Sequence, residues 1–325
     1  MIRAGVVLVI LLQPAAAPAQ PTAAGPAPAY PSKPIRMIVP FAAGGTNDVV
    51  GRMAAAHLAE LWGKPVVVDN RTGADGIIGT DIAAKSPADG YTLVVLSSGF
   101  GMNPAVRKLP YDTLTAFDFV GKVGESFLIL SVNPSLPVNS VRELVALAAK
   151  RPGEITFSSS GGFMQFATAL FAGLSKQKIN IVIYKGGFPA MIDVIGGQVN
   201  AHFAVSVPAI PHLKSGKLKG LAVGMLKRSE LLPELPTVDE ADVKGYDASN
   251  WYAIAAPAGT PRPIITQLHQ ELVKYFTAPD TVKKFTAMGA VLDIKTPEEM
   301  RKYIPEEIAK WTKVAIDAGM PRDVK

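Results

Sequence analysis

Apolar and polar positions along the chain recur in one order: a short run of β-branched and large apolar residues, a loop marked by glycine or proline, then an apolar stripe at helical spacing. The run Ile35 to Phe41 predicts a strand, Ala42-Ala43-Gly44-Gly45 a loop, and Asn47 to Trp62 a helix with Val50, Met53, Ala54, Leu58 and Leu61 on one face. Pro65 to Asp69 predicts a short strand, Gly76 to Lys85 a helix, and Tyr91 to Leu96 a third, buried strand. Strands that alternate with helices in this way build a parallel sheet with crossover helices. The apolar run Phe127 to Val132 then leaves that unit.

A second series starts at Ser140-Val-Arg-Glu143, the spacing of a reciprocal capping box, at the head of a helix reaching Lys150. Strands are predicted at Ile155 to Ser158, Ile179 to Tyr184, Val199 to Val205, Leu218 to Val223 and Asn250 to Ala256, with helical stretches between the earlier ones. The remainder is mainly helical with polar faces, and Pro305 is expected to bend or break the last helix. Two α/β series and a helical tail fit either two consecutive domains or two lobes between which the chain crosses over and back. Periodicity does not separate these arrangements, and no repeat of fixed period is present.

Composition narrows the class. With 325 residues, 48% of them hydrophobic and 18% charged, the chain has the material for two medium cores and is not a disordered polymer. Its net charge of +6 is scattered, and aromatics make up only 7%, so neither a nucleic-acid groove nor a polybasic membrane patch is indicated. A modest preference for anionic ligands is all that it supports. Residues 1–19 read as a secretory signal peptide: Arg3, the apolar run Ala4 to Leu12, then Ala-x-Ala sites at Ala15 to Ala17 and Ala17 to Ala19. That run is too short, at 1.5 Å per residue, to cross about 30 Å of hydrocarbon. Residues 20–34, rich in Pro and Ala, are expected to be a flexible lead-in. The absence of cysteine removes disulfides, thiolate nucleophiles and a lipid-anchored cysteine together.

Three loops carry candidate chemistry. Ala43, Gly44, Gly45, Thr46, Asn47 and Asp48 lie where a strand ends and a helix begins, a place where unpaired amides and the helix dipole favour an anion and glycines let it approach. The same stretch also reads as a tight turn with Thr46 or Asn47 as helix cap. Tyr184, Lys185, Gly186, Gly187 and Phe188 repeat the strand, glycine pair and helix order, the helix opening near Pro189. Ser158, Ser159, Ser160, Gly161 and Gly162 end another strand and offer hydroxyls and amides.

Enzymatic patterns are weak. No Gly-x-Ser-x-Gly elbow exists, and the adjacent serines have no histidine or acid at a spacing that suggests a triad. His57, His202, His212 and His269 are far apart and form no metal motif. Gly73-Ala-Asp-Gly76-Ile-Ile-Gly79 has its first gap one residue too long for a dinucleotide fingerprint, and Asp75 would repel a pyrophosphate. No catalytic residue, metal or cofactor is expected.

Motifs spread over residues 30–322 resemble the solute receptors of tripartite tricarboxylate transporters, the Bug family. They include Tyr30-Pro-Ser-Lys-Pro-Ile-Arg36, Val39-Pro-Phe-Ala-Ala-Gly-Gly45, Asp69-Asn-Arg71, Asp89-Gly-Tyr-Thr-Leu93, Leu109-Pro-Tyr-Asp112, Tyr184-Lys-Gly-Gly187 and Ala256-Pro-Ala-Gly-Thr-Pro261. Their order and spacing carry the likeness. It implies an α/β, two-lobe type II periplasmic binding-protein fold, with lobe 1 formed by 35–130 and 252–325, lobe 2 by 131–251, and chain crossings near Ser131 and Tyr252. It further implies a periplasmic monomer, not an enzyme, that holds a carboxylate between the first glycine loop and the Tyr184-Lys-Gly-Gly187 loop. Ser98, Phe100 and Val205 border that site. Large and small integral-membrane transporter subunits are the implied partners. A sensor module for a membrane signalling protein is the alternative, and an exported hydrolase using Ser158 to Ser160 a remote one.

This chain departs from the family pattern around the expected cleft. Gln165 replaces a usual histidine, Ala204-Val205 stands where relatives carry Asp-Asn, Phe188 occupies a position usually small, and Phe163-Met164 and Phe100 sit at other cleft edges. A less polar pocket favours a monocarboxylate with an apolar or aromatic body over citrate, because extra carboxylates buried beside phenylalanine would lack partners.

Overall fold

The computed structural model describes Met1 and residues 30–324; the signal peptide and its cleavage site fall outside the described residues, as does most of the lead-in. Tyr30, at the end of that lead-in, is packed: its hydroxyl donates to Gly90 O at 2.7 Å and its ring meets Trp62 and Tyr91.

The first unit is built from β1 (Ile35–Val39), α1 (Thr46–Trp62), β2 (Val66–Asn70), a 3-10 turn (Ala74–Gly76), α2 (Ile77–Ala84), β3 (Thr92–Ser97) and α3 (Gly99–Val106). β1 lies between β2 and β3, parallel to both, which is why Met37, Ile38 and Val39 are all fully buried. Helix α1 turns Val50, Ala54 and Leu58 onto this sheet, whereas Leu61, expected on the same face, is exposed. Gly51 permits that close approach, since a β-carbon there would stand 2.8 Å from Val39 Cγ2. Helix α3, its sequence broken by Gly101 and Pro104, was not predicted.

β4 (Phe117–Val132) is far longer than the apolar run at its end. Its first part pairs with a strand that returns much later in the chain, and its last part, from Leu128, pairs into a second sheet. That sheet is completed by α4 (Val141–Lys150), β5 (Thr156–Ser159), α5 (Gly162–Ser175), β6 (Asn180–Ile183), α6 (Gly187–Ile195), β7 (Ala201–Val205), α7 (Ser206–Lys214) and β8 (Lys219–Val223). β5 runs parallel to β6 and β7, while β7 and β8 run antiparallel to β4. At the start of α4, Ser140 Oγ accepts from Glu143 N–H at 3.1 Å, but Glu143 reaches back to Asn139 N–H and not to its cap. The expected capping box is therefore only half formed.

β9 (Ser249–Pro257) returns to the first sheet, antiparallel to both β3 and β4, followed by α8 (Arg262–Phe276), α9 (Pro279–Ala287), β10 (Ala290–Val291) and α10 (Pro297–Asp317). The first sheet is thus mixed rather than wholly parallel. Helix α10 is continuous through Pro305, against expectation: the ring lies on the exposed face, where water can serve the carbonyl that its missing N–H leaves free. Its last turns do not stay with the first lobe, because Trp311, Val314 and Ala315 join the core of lobe 2, with Trp311 edge-on to Phe166. Among the described residues no helix is long and apolar enough to cross a membrane.

Candidate functional site

The C-terminal ends of β1, β3 and β5 lead into helices α1, α3 and α5, and residues at these junctions line one cavity. Its volume is about 820 Å³, a size suited to a small organic molecule. Lobe 1 contributes Asn47, Asp75, Ser98 and Asn103; lobe 2 contributes Gly162 and Phe163 from the first turn of α5; Asn250 at the start of β9 lies between. Phe41, Met102 and Phe166 supply apolar wall.

The floor is a hydrogen-bonded chain. Ser98 Oγ donates to Asn250 Oδ1 at 2.6 Å, Asn250 Nδ2 donates to the Tyr252 hydroxyl at 3.2 Å, and that hydroxyl meets Ser126 Oγ at 2.6 Å. Burial raises the Tyr252 pKa, against hydrogen bonds with Ser126, Thr46 and Asn250 that pull it down. The phenol therefore stays neutral and fixes the side chains around it. Asn47 Oδ1 is buried without a hydrogen-bond partner.

Of the residues expected at the site, Asn47, Ser98, Gly162 and Phe163 line this cavity together. Ala43, Gly44 and Gly45 are exposed above it, and Gly45, not Thr46 or Asn47, is the N-cap of α1, with no side chain capping the helix. Asp48 does not face a ligand. It is 2% exposed and accepts from Gly44 N–H at 2.9 Å, Arg52 Nε at 2.8 Å and Asn70 Nδ2 at 2.9 Å, so it braces the glycine loop from behind. Phe100 is also inside: it is 4% exposed and packs with Tyr111, Phe117 and Phe119 in the core of lobe 1, because α3 turns it away from the cleft.

In lobe 2, Ser159 is buried and its Oγ accepts from Gly161 N–H at 3.2 Å, shaping the turn that precedes α5. Gly161 and Gly162 take φ of 78° and 50°, values that favour glycine. Ser160 Oγ sits 3.1 Å from Met164 Sδ, and Met164 Cε approaches Gly187, so the serine loop and the Gly186-Gly187 loop touch each other. Neither Tyr184 nor Lys185 is on the cavity wall. Tyr184 donates to Asp193 Oδ2 at 2.6 Å, and chiefly that bond raises its pKa to about 12, while Lys185 points to solvent. Phe188 is 64% exposed, and Val205 packs at the edge of the lobe 2 core. The two glycine turns expected to converge, at Gly44-Gly45 and Gly186-Gly187, do not line the cavity; its walls come from the heads of α1 and α5, from α3 and from the turn at Asp75.

Sequence reasoning missed Asp75, Asn103, Arg107 and Asn250. Only Asp75 had been marked, as an obstacle to nucleotide binding. Asn103 and Arg107 lie on the unpredicted helix α3. Asn250 had been read only as the first residue of a strand. The serine cluster is not catalytic: Ser158 Oγ donates to Ala190 O at 2.8 Å and faces His202 Nδ1 at 3.1 Å, with both side chains buried and absent from the cavity wall. Burial lowers the His202 pKa, as befits a neutral ring packed in a core.

A family model described as "Tripartite tricarboxylate transporter family receptor" matches residues 50–320. The chain belongs to that family. Protein BugT of Bordetella pertussis (strain Tohama I) is 39% identical over 298 residues, which span 89% of this chain and 90% of that protein. Among solved structures, Rpa4515 of R. palustris with adipate is 35% identical, with a TM-score of 0.77 over 89% of this chain and 98% of that one. The periplasmic binding protein BugD is 31% identical, with a TM-score of 0.74 over 90% and 100%. The family and these neighbours are solute receptors and not enzymes, and the architecture is the two-lobe periplasmic binding-protein fold with a cleft between the lobes.

Proposed function

We propose that this chain is an exported receptor that captures a small organic carboxylate in its interlobe cleft, in the periplasm, and delivers it to integral-membrane subunits of a tripartite tricarboxylate-type transporter. One observation carries the reading: the uncapped first turn of α5 in lobe 2, at Gly162 and Phe163, shares a single cavity with Asn47 and Ser98 of lobe 1. Helix α1 also begins at a glycine N-cap without a side-chain partner, and Asn47 of its first turn lines the same cavity. Adipate in the related Rpa4515 supports a carboxylate ligand. The apolar wall of Phe41, Met102, Phe163 and Phe166 favours one with an apolar or aromatic body over citrate.

A thermal-shift screen of several hundred small carboxylates, followed by calorimetry on the hits, tests this. The expected outcome is a rise in Tm with monocarboxylates and a loss of about tenfold or more in affinity for Asn47→Ala, in line with roughly 1.5 to 3 kcal/mol for a hydrogen bond to a charged group. No shift with any carboxylate at millimolar concentration would overturn the reading.

A further inference from the structure

The wall of the cavity holds a charged group that the reading above leaves unused. Ala74 and Asp75 both take left-handed backbone, with φ of 48° and 54°, a conformation that most side chains avoid and Asp tolerates better. The turn sends the Asp75 carboxylate across the cleft: its Oδ1 lies 3.7 Å from where a β-carbon on Gly162 of the other lobe would stand. Helix α3 pins the turn in place, Asn103 Nδ2 donating to Asp75 O at 3.1 Å and Arg107 to Asp75 Oδ2 at 2.8 Å. Oδ1 has no donor among the described residues.

We propose that Asp75 is a specificity-determining residue of the cleft: besides its carboxylate the ligand carries a group that donates hydrogen bonds, as an ammonium, amide or hydroxyl does, and α,ω-dicarboxylates are turned away. This rests on the receptor reading, in which one carboxylate is held between the lobes. A second carboxylate beside Asp75 brings like charges together in a partly desolvated hollow, whereas a donor satisfies Asp75 Oδ1. Arg107 does not reverse the preference. It engages Oδ2 only, and it and Asp75 are 48% and 50% exposed, so their pairing is screened by water and Oδ1 stays presented to the cleft. Lys108, Arg322 and Asp323, the other charges on the wall, are exposed at its rim.

The experiment is calorimetric titration of the ligand-free protein with matched straight-chain series of four to eight carbons: the monoacid, the α,ω-diacid and the ω-amino acid. Wild type is expected to bind the ω-amino acid at least tenfold more tightly than the diacid of the same length. Asp75→Asn, which keeps the shape and tolerates the same backbone, is expected to cut that ratio at least tenfold. Arg107→Gln, which removes the one cation bonded to Asp75 among the described residues, is expected to sharpen rejection of the diacid. Diacid binding as tight as that of the ω-amino acid in wild type, an unchanged ratio in Asp75→Asn, or a rise in diacid affinity in Arg107→Gln overturns the proposal. Monoacid binding alongside any of these leaves the receptor reading standing. Failure of all three series to bind sinks both.

Discussion

Asp48 stands in the first turn of α1, where a negative charge suits the helix dipole, yet its carboxylate is spent inside the protein on Gly44 N–H, Arg52 and Asn70. Burial alone would raise its pKa, but those hydrogen bonds outweigh burial and hold it below the usual carboxylate range. A carboxyl group whose folded pKa lies below its unfolded value of about 3.9 contributes stability that is complete above that value and is lost as pH falls through the lower folded one. Asp48→Ala is therefore expected to lose about 1 to 3 kcal/mol in urea melts at pH 7, since three part-buried hydrogen bonds lose their acceptor, and to differ less from wild type at pH 3. An equal loss at both pH values would assign the cost to packing alone. The sequence places this residue correctly beside the glycine loop, but not the direction of its side chain, which depends on Asn70 arriving from β2. Phe100 follows the same rule, since its partners Phe117 and Phe119 lie on a strand segment that pattern alone did not reveal.

Elements were legible where apolar runs end in glycine or proline, as at β1, β3, β5 and β9. They were not where tertiary structure satisfies what the local pattern forbids. The first part of β4 carries Gly121, Lys122, Gly124 and Glu125, which read as a loop. In the fold Lys122 is buried, its ammonium bonded to Glu125 at 2.7 Å and to Asp293, and the strand bulges on either side of it. Helix α10 is the opposite case. Thr296 and Glu299 form the reciprocal capping box that α4 lacks, and this firm start, with Met300 and Ile304 in the core, carries the helix past Pro305. Because the exposed ring only removes a hydrogen bond there, Pro305→Ala is expected to stabilise the protein by about 1 to 3 kcal/mol. A denaturation midpoint that falls instead would mean that proline's restriction of the unfolded chain matters more.

At the scale of the molecule, the lobes are not independent bodies on a flexible tether. β4 runs unbroken from one sheet into the other, and one core cluster joins Met102 and Ala105 of α3 and Trp311 of α10 to the interior of lobe 2. Glu307 ties the same region together, accepting from Trp251 at 3.2 Å and from Trp311 at 2.9 Å, both indoles being buried. Melting lobe 2 alone would strip the apolar face of α10 and leave these indole N–H groups facing a loosened core. The two lobes are therefore expected to unfold as one unit in urea, the tryptophan signal, dominated by this junction, coinciding with the far-UV circular dichroism that reports both sheets. A saturating ligand should move both signals together, since it is bound only while the lobes share the cleft, by RT ln(1 + [L]/Kd). Two separated transitions, or a ligand that shifts one signal and not the other, would show that the shared cluster is too weak to couple the lobes. Closure would then have to be read as a hinge between separately stable domains.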